Sequence, residues 1–202
     1  MRRDKKSVRV IGGEARHLKL IAPEGRDIRP TLDSIRETLF NMLRDQLYDC
    51  IFVDMFAGSG AVGIEALSRG AGKAYFFEQN PEAVRCIIQN LKTTRFTERA
   101  RVLRSDALKT LSRIKEEAVD IVYLDPPYDK GLYKPALKAL AGASFVTKET
   151  LLIAECEKRE DFSFALSAGF HIIKEKSYKH NRHVFLRRTD NGSTDSDLSG
   201  QF

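Results

Sequence analysis

Asp125-Pro126-Pro127-Tyr128 brings a carboxylate, two rigid residues and an aromatic ring into one short stretch. Proline fixes φ and removes the backbone N–H, so two in succession make a stiff loop. Its carbonyls and the Asp125 carboxylate can converge on one amino group. An exocyclic amine on a nucleobase is a poor nucleophile because its lone pair is delocalised into the ring. Acceptors set against its two hydrogens favour the pyramidal form that can attack an electrophilic methyl group, which is electrostatic preorganisation for a displacement. Tyr128 offers a face on which an extruded base can stack. The plainer reading of the stretch is a turn that ends a strand.

A second chemical stretch runs from Phe52 through Asp54, Phe56, Gly58, Gly60 and Gly63 to Leu67, an apolar strand passing through a glycine turn into a helix. Such glycines permit a sharp turn, close approach to a ligand and tight helix packing. The Gly58-x-Gly60-x-x-Gly63 spacing is also the dinucleotide fingerprint, so it leaves a nicotinamide enzyme open. Asp54 discriminates: a carboxylate at the strand end repels a pyrophosphate but holds the ammonium group of a methionine moiety. The cofactor these residues imply is S-adenosyl-L-methionine, cradled by Asp54, Phe56, Gly58 and Gly60. Glu78 ends the next strand, where a carboxylate can accept both ribose hydroxyls. Asp106-Ala107 ends a third, where an adenine would fall. A helix-capping role explains Asp106 nearly as well.

The elements that position these residues follow from periodicity. Residues 7 to 13 and 17 to 21 alternate as a hairpin, placing Val8, Val10, Leu18 and Leu20 on one face and Arg9 and Lys19 on the other. Arg29-Pro30-Thr31 breaks the chain, and Ser34-x-x-Glu37 reads as a capping box that starts a helix with Ile35, Leu39, Met42, Leu43 and Leu47 inward. Strands are expected at 50–54, 73–78, 101–104, 119–124 and 151–154, alternating with helices. In the helix after Asn80-Pro81, Val84, Ile87, Ile88 and Leu91 mark the buried face. The intervening helices fall near 108–114 and 132–142. A short helix near 162–168 precedes an antiparallel pair at 170–178 and 183–188. The expectation is a doubly wound α/β sheet with a hairpin extension, and a disordered tail over 189–202.

The 202 residues carry a net charge of +6, unevenly placed: +5 in residues 1–30, −1 in 31–170, +5 in 171–188 and −3 in the tail. Two basic segments around a neutral body are the footprint of a polyanion-binding surface, with Arg2, Arg3, Arg9, Lys19, Arg29, Lys179 and Arg182 as its candidate contacts. The bland alternative is a solvated basic exterior. No apolar run has the length of a membrane span, and no signal peptide is evident, so the cytoplasm is expected. Cys50, Cys86 and Cys156 read as core residues. His180-x-x-His183 lacks partners at metal-site spacing, so no metal is expected.

Asp54 to Gly63, Glu78, Asp106 and Asp125 to Tyr128 resemble the motifs of class I S-adenosylmethionine-dependent methyltransferases acting on exocyclic amines. With Arg9 to Gly13 and Arg29 to Phe40 upstream, the order over residues 8 to 188 resembles the bacterial 16S ribosomal RNA guanine-N2 methyltransferase family of the RsmD type. That resemblance implies a seven-stranded, mostly parallel Rossmann-like sheet. It implies a basic hairpin-and-helix extension over 1–48 packed on a methyltransferase domain over 49–188. It also implies methylation of a guanine N2 in 16S ribosomal RNA, presented on an assembled or partly assembled small subunit, by a monomer. Asp125, Pro126 and Tyr128 would be the catalytic set. Methylation of DNA adenine or protein glutamine, and a non-catalytic cofactor-sensing RNA-binding protein, are the alternatives.

Overall fold

The computed structural model describes residues 8–23, 30–127 and 130–189, with side chains from residue 33 in the second segment. The extension contains β1 (Val8–Arg9), β2 (Lys19–Leu20) and α1 (Pro30–Met42). The body follows as β3 (Ile51–Asp54), α2 (Ala61–Ser68), β4 (Lys73–Glu78), α3 (Pro81–Thr94), β5 (Ala100–Arg104), α4 (Ala107–Thr110), β6 (Ile121–Leu124), α5 (Tyr133–Ala141), β7 (Leu151–Glu157), β8 (Phe170–Ser177) and β9 (Asn181–Arg188). The seven-stranded sheet has the order β5-β4-β3-β6-β7-β9-β8. Strands β3 to β7 are mutually parallel, and β9 runs antiparallel to both β7 and β8.

Parallel strands joined by helices are covered on both faces, so they read as continuous apolar runs. Alternate residues of each strand enter two separate cores. Phe52, Phe76, Tyr123, Ile153 and Phe185 pack with α1, α2, α3 and the hairpin on one face. Val53, Phe77, Val122, Leu152 and Leu186 pack with α4 and α5 on the other. Two local features tie this arrangement to the glycine turn. Gly60 sits at φ +79° as the N-cap of α2, a conformation that glycine adopts without penalty. A Cβ on Gly63 would lie 2.4 Å from Cε1 of buried Phe76, so only glycine lets α2 approach β4 this closely.

Several expectations need correction. The hairpin forms with Val8 opposite Leu20 and Arg9 opposite Lys19, but Leu18 is 39% exposed and does not join Val8, Val10 and Leu20 in the core. The first helix starts at Pro30 rather than at Ser34, since proline's fixed φ and missing N–H suit a first helical turn. Ser34 instead lies within the helix, its carbonyl accepting from the Thr38 hydroxyl at 2.8 Å. On α3 the buried face is Ala83, Cys86, Ile87, Asn90, Leu91 and Thr94, and Ile88 is 42% exposed. The short helix near 162–168 is reduced to a 3-10 turn, Leu166–Ala168. The tail from Asp190 lies outside the described residues. Among the described residues, no helix is long and apolar enough to cross a membrane.

Candidate active site

The strand order reverses between β3 and β6, and in open α/β sheets the crevice beyond the strand carboxyl ends at such a point is where ligands bind. Asp106, Glu78, Asp54 and Asp125 stand at or just beyond the ends of β5, β4, β3 and β6, four neighbouring strands. A cavity of about 220 Å³ opens there. Met55 and Phe56 line it from the turn after β3 and Phe77 and Glu78 from β4, with Gln79, Asn80, Ser105 and Ala107 beside them; Asp125, Pro127 and Leu132 close the other side. Asp125 and Glu78 therefore share one cavity.

The individual residues divide into wall and support. Phe56 and Asp125 are half-buried, Pro126 is buried and Pro127 is exposed. Tyr128 lies outside the described residues. Asp54 is 1% exposed and, like Gly58, Gly60 and Asp106, stands at these strand ends without lining the cavity. Glu78 also builds the loop beside it: one oxygen accepts from the Gly58 N–H at 2.8 Å and the other from the Asn80 N–H at 2.8 Å. Each of those oxygens keeps a second lone pair for a ligand. Asp106 caps α4, accepting from the Leu108 N–H at 3.0 Å, so the capping role is present whatever else it does.

Support comes from polar groups that periodicity did not expose. Glu65 of α2 is fully buried, and its carboxylate accepts from the Ile11 and Gly12 N–H groups at 2.8 Å each. The Arg69 Nε lies 2.7 Å away, and Arg36 Nε 4.0 Å away. Burial lowers the Arg36 pKa against the opposing pull of Glu65 and Asp33. Ser68 extends this latch, accepting from the Ala15 N–H at 3.0 Å and donating to the Gly12 carbonyl at 2.6 Å. Asn90 on α3 reaches both Ile21 of the extension and Ser59 of the glycine turn. The usable signal was a polar side chain inside an apolar helical stripe.

A second network lies under β6, β7 and β9. Tyr123 donates to Glu155 Oε2 at 2.5 Å, Asn181 donates to Oε1 at 2.6 Å, and His183 Nε2 lies 3.1 Å from Oε2. An Nε2 proton directed at Glu155, with the Tyr178 hydroxyl donated to Nδ1 at 3.0 Å, completes it. Burial pushes the Glu155 carboxyl up, but the bonds from His183, Tyr123 and Asn181 outweigh that and hold it below the usual range. Burial raises Tyr123 well above a normal phenol, with Glu155 and Asp125 adding to the effect. His183 is 0% exposed, whereas His180 is exposed. No group of three or more metal-ligating side chains occurs among the described residues.

The basic candidates separate similarly. Arg9, Lys19 and Lys179 are exposed, with Arg9 3.3 Å from Asp33. Arg182 is half-buried, 2.9 Å from Glu175 and donating to the Glu160 carbonyl at 2.6 Å. Arg2, Arg3 and Arg29 lie outside the described residues.

Comparison with known proteins matches this architecture. The family model described as conserved hypothetical protein 95 spans residues 8–187. The Escherichia coli K12 protein named ribosomal RNA small subunit methyltransferase D is 35% identical over 190 residues, covering 94% of each chain. Its Haemophilus influenzae namesake is 34% identical over 175 residues, covering 86% of this chain and 90% of its own. A solved Escherichia coli structure, yhhF, described as a candidate methyltransferase, superposes with a TM-score of 0.75 at 34% identity, covering 90% of this chain and 98% of its own. The chain thus belongs to the family described as conserved hypothetical protein 95, alongside proteins named ribosomal RNA small subunit methyltransferase D.

Proposed function

We propose that this chain is an S-adenosyl-L-methionine-dependent methyltransferase that modifies the exocyclic N2 of a guanine in 16S ribosomal RNA. The observation that carries the reading is the shared cavity of Asp125 and Glu78 at the sheet's reversal point. The residues present fit the cofactor. Phe56, Phe77 and Ala107 supply apolar wall for a ring, and Glu78 supplies free lone pairs for hydroxyls. Asp54 at the end of β3 supplies negative charge on the side where a cationic tail would lie. At about 220 Å³ the cavity is smaller than the roughly 300–1,000 Å³ pockets that engulf a drug-sized ligand. It suits one end of a nucleoside, with the remainder extended along the strand ends.

The bound sulfonium would supply an electrophilic methyl group with a neutral thioether as its leaving group. The chain's own residues would prepare the acceptor. Asp125 accepts hydrogen bonds from the guanine amine, raising electron density on the nitrogen as the N–C bond forms, the S–C bond breaks and the amine proton passes to Asp125 or to solvent water. Buried Pro126 holds that carboxylate in a loop with few rotatable bonds. Tyr128 is the proposed stacking face for the base. The exposed Arg9, Lys19 and Lys179 are the proposed phosphate contacts, together with Arg2, Arg3 and Arg29. Arg182, bound to Glu175 and Glu160, shapes the strand pair that presents Lys179. The proposed substrate form is an assembled or partly assembled small subunit.

The test is transfer of a tritiated methyl group from the labelled cofactor to small-subunit particles, duplex DNA and protein. Nucleoside mass spectrometry then identifies the product. Label in N2-methylguanine of 16S RNA is the expected result; label only in DNA or protein would replace this reading with one of its rivals.

A further inference from the structure

Asn90 makes three side-chain hydrogen bonds although it is 1% exposed. Its Oδ1 accepts from the Ile21 N–H at 2.8 Å, and its Nδ2 donates to the Ile21 carbonyl at 2.8 Å and to the Ser59 carbonyl at 2.9 Å. Both donors of the amide are therefore used, which fixes its orientation. Ser59 lies between Gly58 at φ +55° and Gly60 at φ +79°. Glycines on both sides of Ser59 permit many other backbone paths. Three contacts select this one. Glu78 holds the Gly58 N–H, the Ala57 carbonyl holds the Gly60 N–H at 2.7 Å, and Asn90 holds the Ser59 carbonyl. The last two grip opposite edges of a single peptide plane, since a trans peptide points its C=O and N–H in opposite directions.

Asn90 is itself held by Ile21, which follows β2 in the extension. The extension thus contacts the glycine turn through one side chain. We propose that Asn90 is a positioning residue for the cofactor loop, and that the extension, through Ile21, helps to set cofactor affinity in addition to any contact it makes with RNA. This rests on the cofactor reading given above. Ser68 provides the internal comparison, because it fastens the same extension through Ala15 and Gly12 and makes none of the three contacts to the turn.

The experiment is isothermal titration of the full chain with S-adenosylhomocysteine, alongside thermal melts, for wild type, Asn90→Ala and Ser68→Ala. Both variants lose buried hydrogen bonds and should melt earlier. Asn90→Ala should bind about tenfold more weakly, the effect of one lost hydrogen bond of ordinary net strength. Ser68→Ala should bind as wild type does. Should Asn90→Ala not fold, Ile21→Pro removes the extension's N–H from the clasp and should weaken binding in the same direction. Unchanged affinity in a folded Asn90→Ala protein, or equal weakening by Ser68→Ala, would overturn the proposal. Wild-type protein that binds no S-adenosylhomocysteine would instead overturn the cofactor reading itself.

Discussion

Replacing Glu65 with glutamine keeps the shape of the side chain and removes its charge, so it isolates what the buried carboxylate contributes to docking the extension. In the native structure two backbone N–H groups and the Arg69 guanidinium converge on this carboxylate, with Arg36 close by. A glutamine presents one oxygen and one NH2 group, so one of the two N–H groups loses its acceptor, at about 1–3 kcal/mol. Breaking a buried ion pair costs about 3–5 kcal/mol. Here the loss falls at or below the low end. Arg36 keeps Asp33 at 3.0 Å and the Arg9 carbonyl at 2.6 Å, and Arg69 is partly exposed. Together these give a destabilisation of about 4 kcal/mol, or roughly 8–16 °C in Tm for a domain of this size. Urea unfolding followed by circular dichroism measures the first figure, and a thermal melt the second. Limited proteolysis of Glu65→Gln should cut first within residues 8–23, before the sheet opens. A loss below about 1 kcal/mol, well under the cost of one orphaned N–H plus a broken pair, would refute the account of how the extension is held.

The three thiols should be silent in the native protein. Burial, with Asp120 and Asp49 nearby, pushes Cys50 up to about 12, and burial pushes Cys156 up to about 11 and raises Cys86 as well. Titration with a thiol reagent at pH 8 should therefore be slow for all three and become fast on unfolding; a thiol that reacts at once in the folded protein contradicts this packing. Glu155 should make stability acid-sensitive. Its carboxyl is held below the usual range in the folded state, so the stabilisation is fully present above the unfolded value of about 4.3. It is lost as pH falls through the lower folded value. Urea midpoints for Glu155→Gln should start lower at pH 7 and fall less steeply below pH 4 than those of the wild type; parallel curves would count against the network.

The sheet was legible because parallel strands announce themselves as apolar runs, and because turns such as Asn80-Pro81 carry their own chemistry. Asn80 does cap α3 as expected, accepting from the Glu82 and Ala83 N–H groups. Strand-end position made Asp54, Glu78 and Asp125 visible as a set. What escaped was tertiary. Ile88 is an apolar residue on the outer arc of α3 while Asn90 takes a core position, and helical periodicity cannot tell that a polar side chain will find its hydrogen bonds in a distant loop. Glu65, Ser68 and His183 were hidden for the same reason, since Ile11, Ala15 and Glu155, which respectively bond to them, lie more than twenty residues away. The first helix was misplaced because a capping-box pattern at Ser34 competes with a proline at Pro30, and proline in the first turn prevailed.

The most direct test of the central claim is the turnover of Asp125→Asn on small-subunit RNA, measured beside its affinity for S-adenosylhomocysteine. Removing one preorganised polar group aimed at the reacting centre typically costs about 10²–10³ in rate. The account predicts a loss of at least about 100-fold in kcat with cofactor affinity little changed, and turnover near the wild-type rate would contradict it.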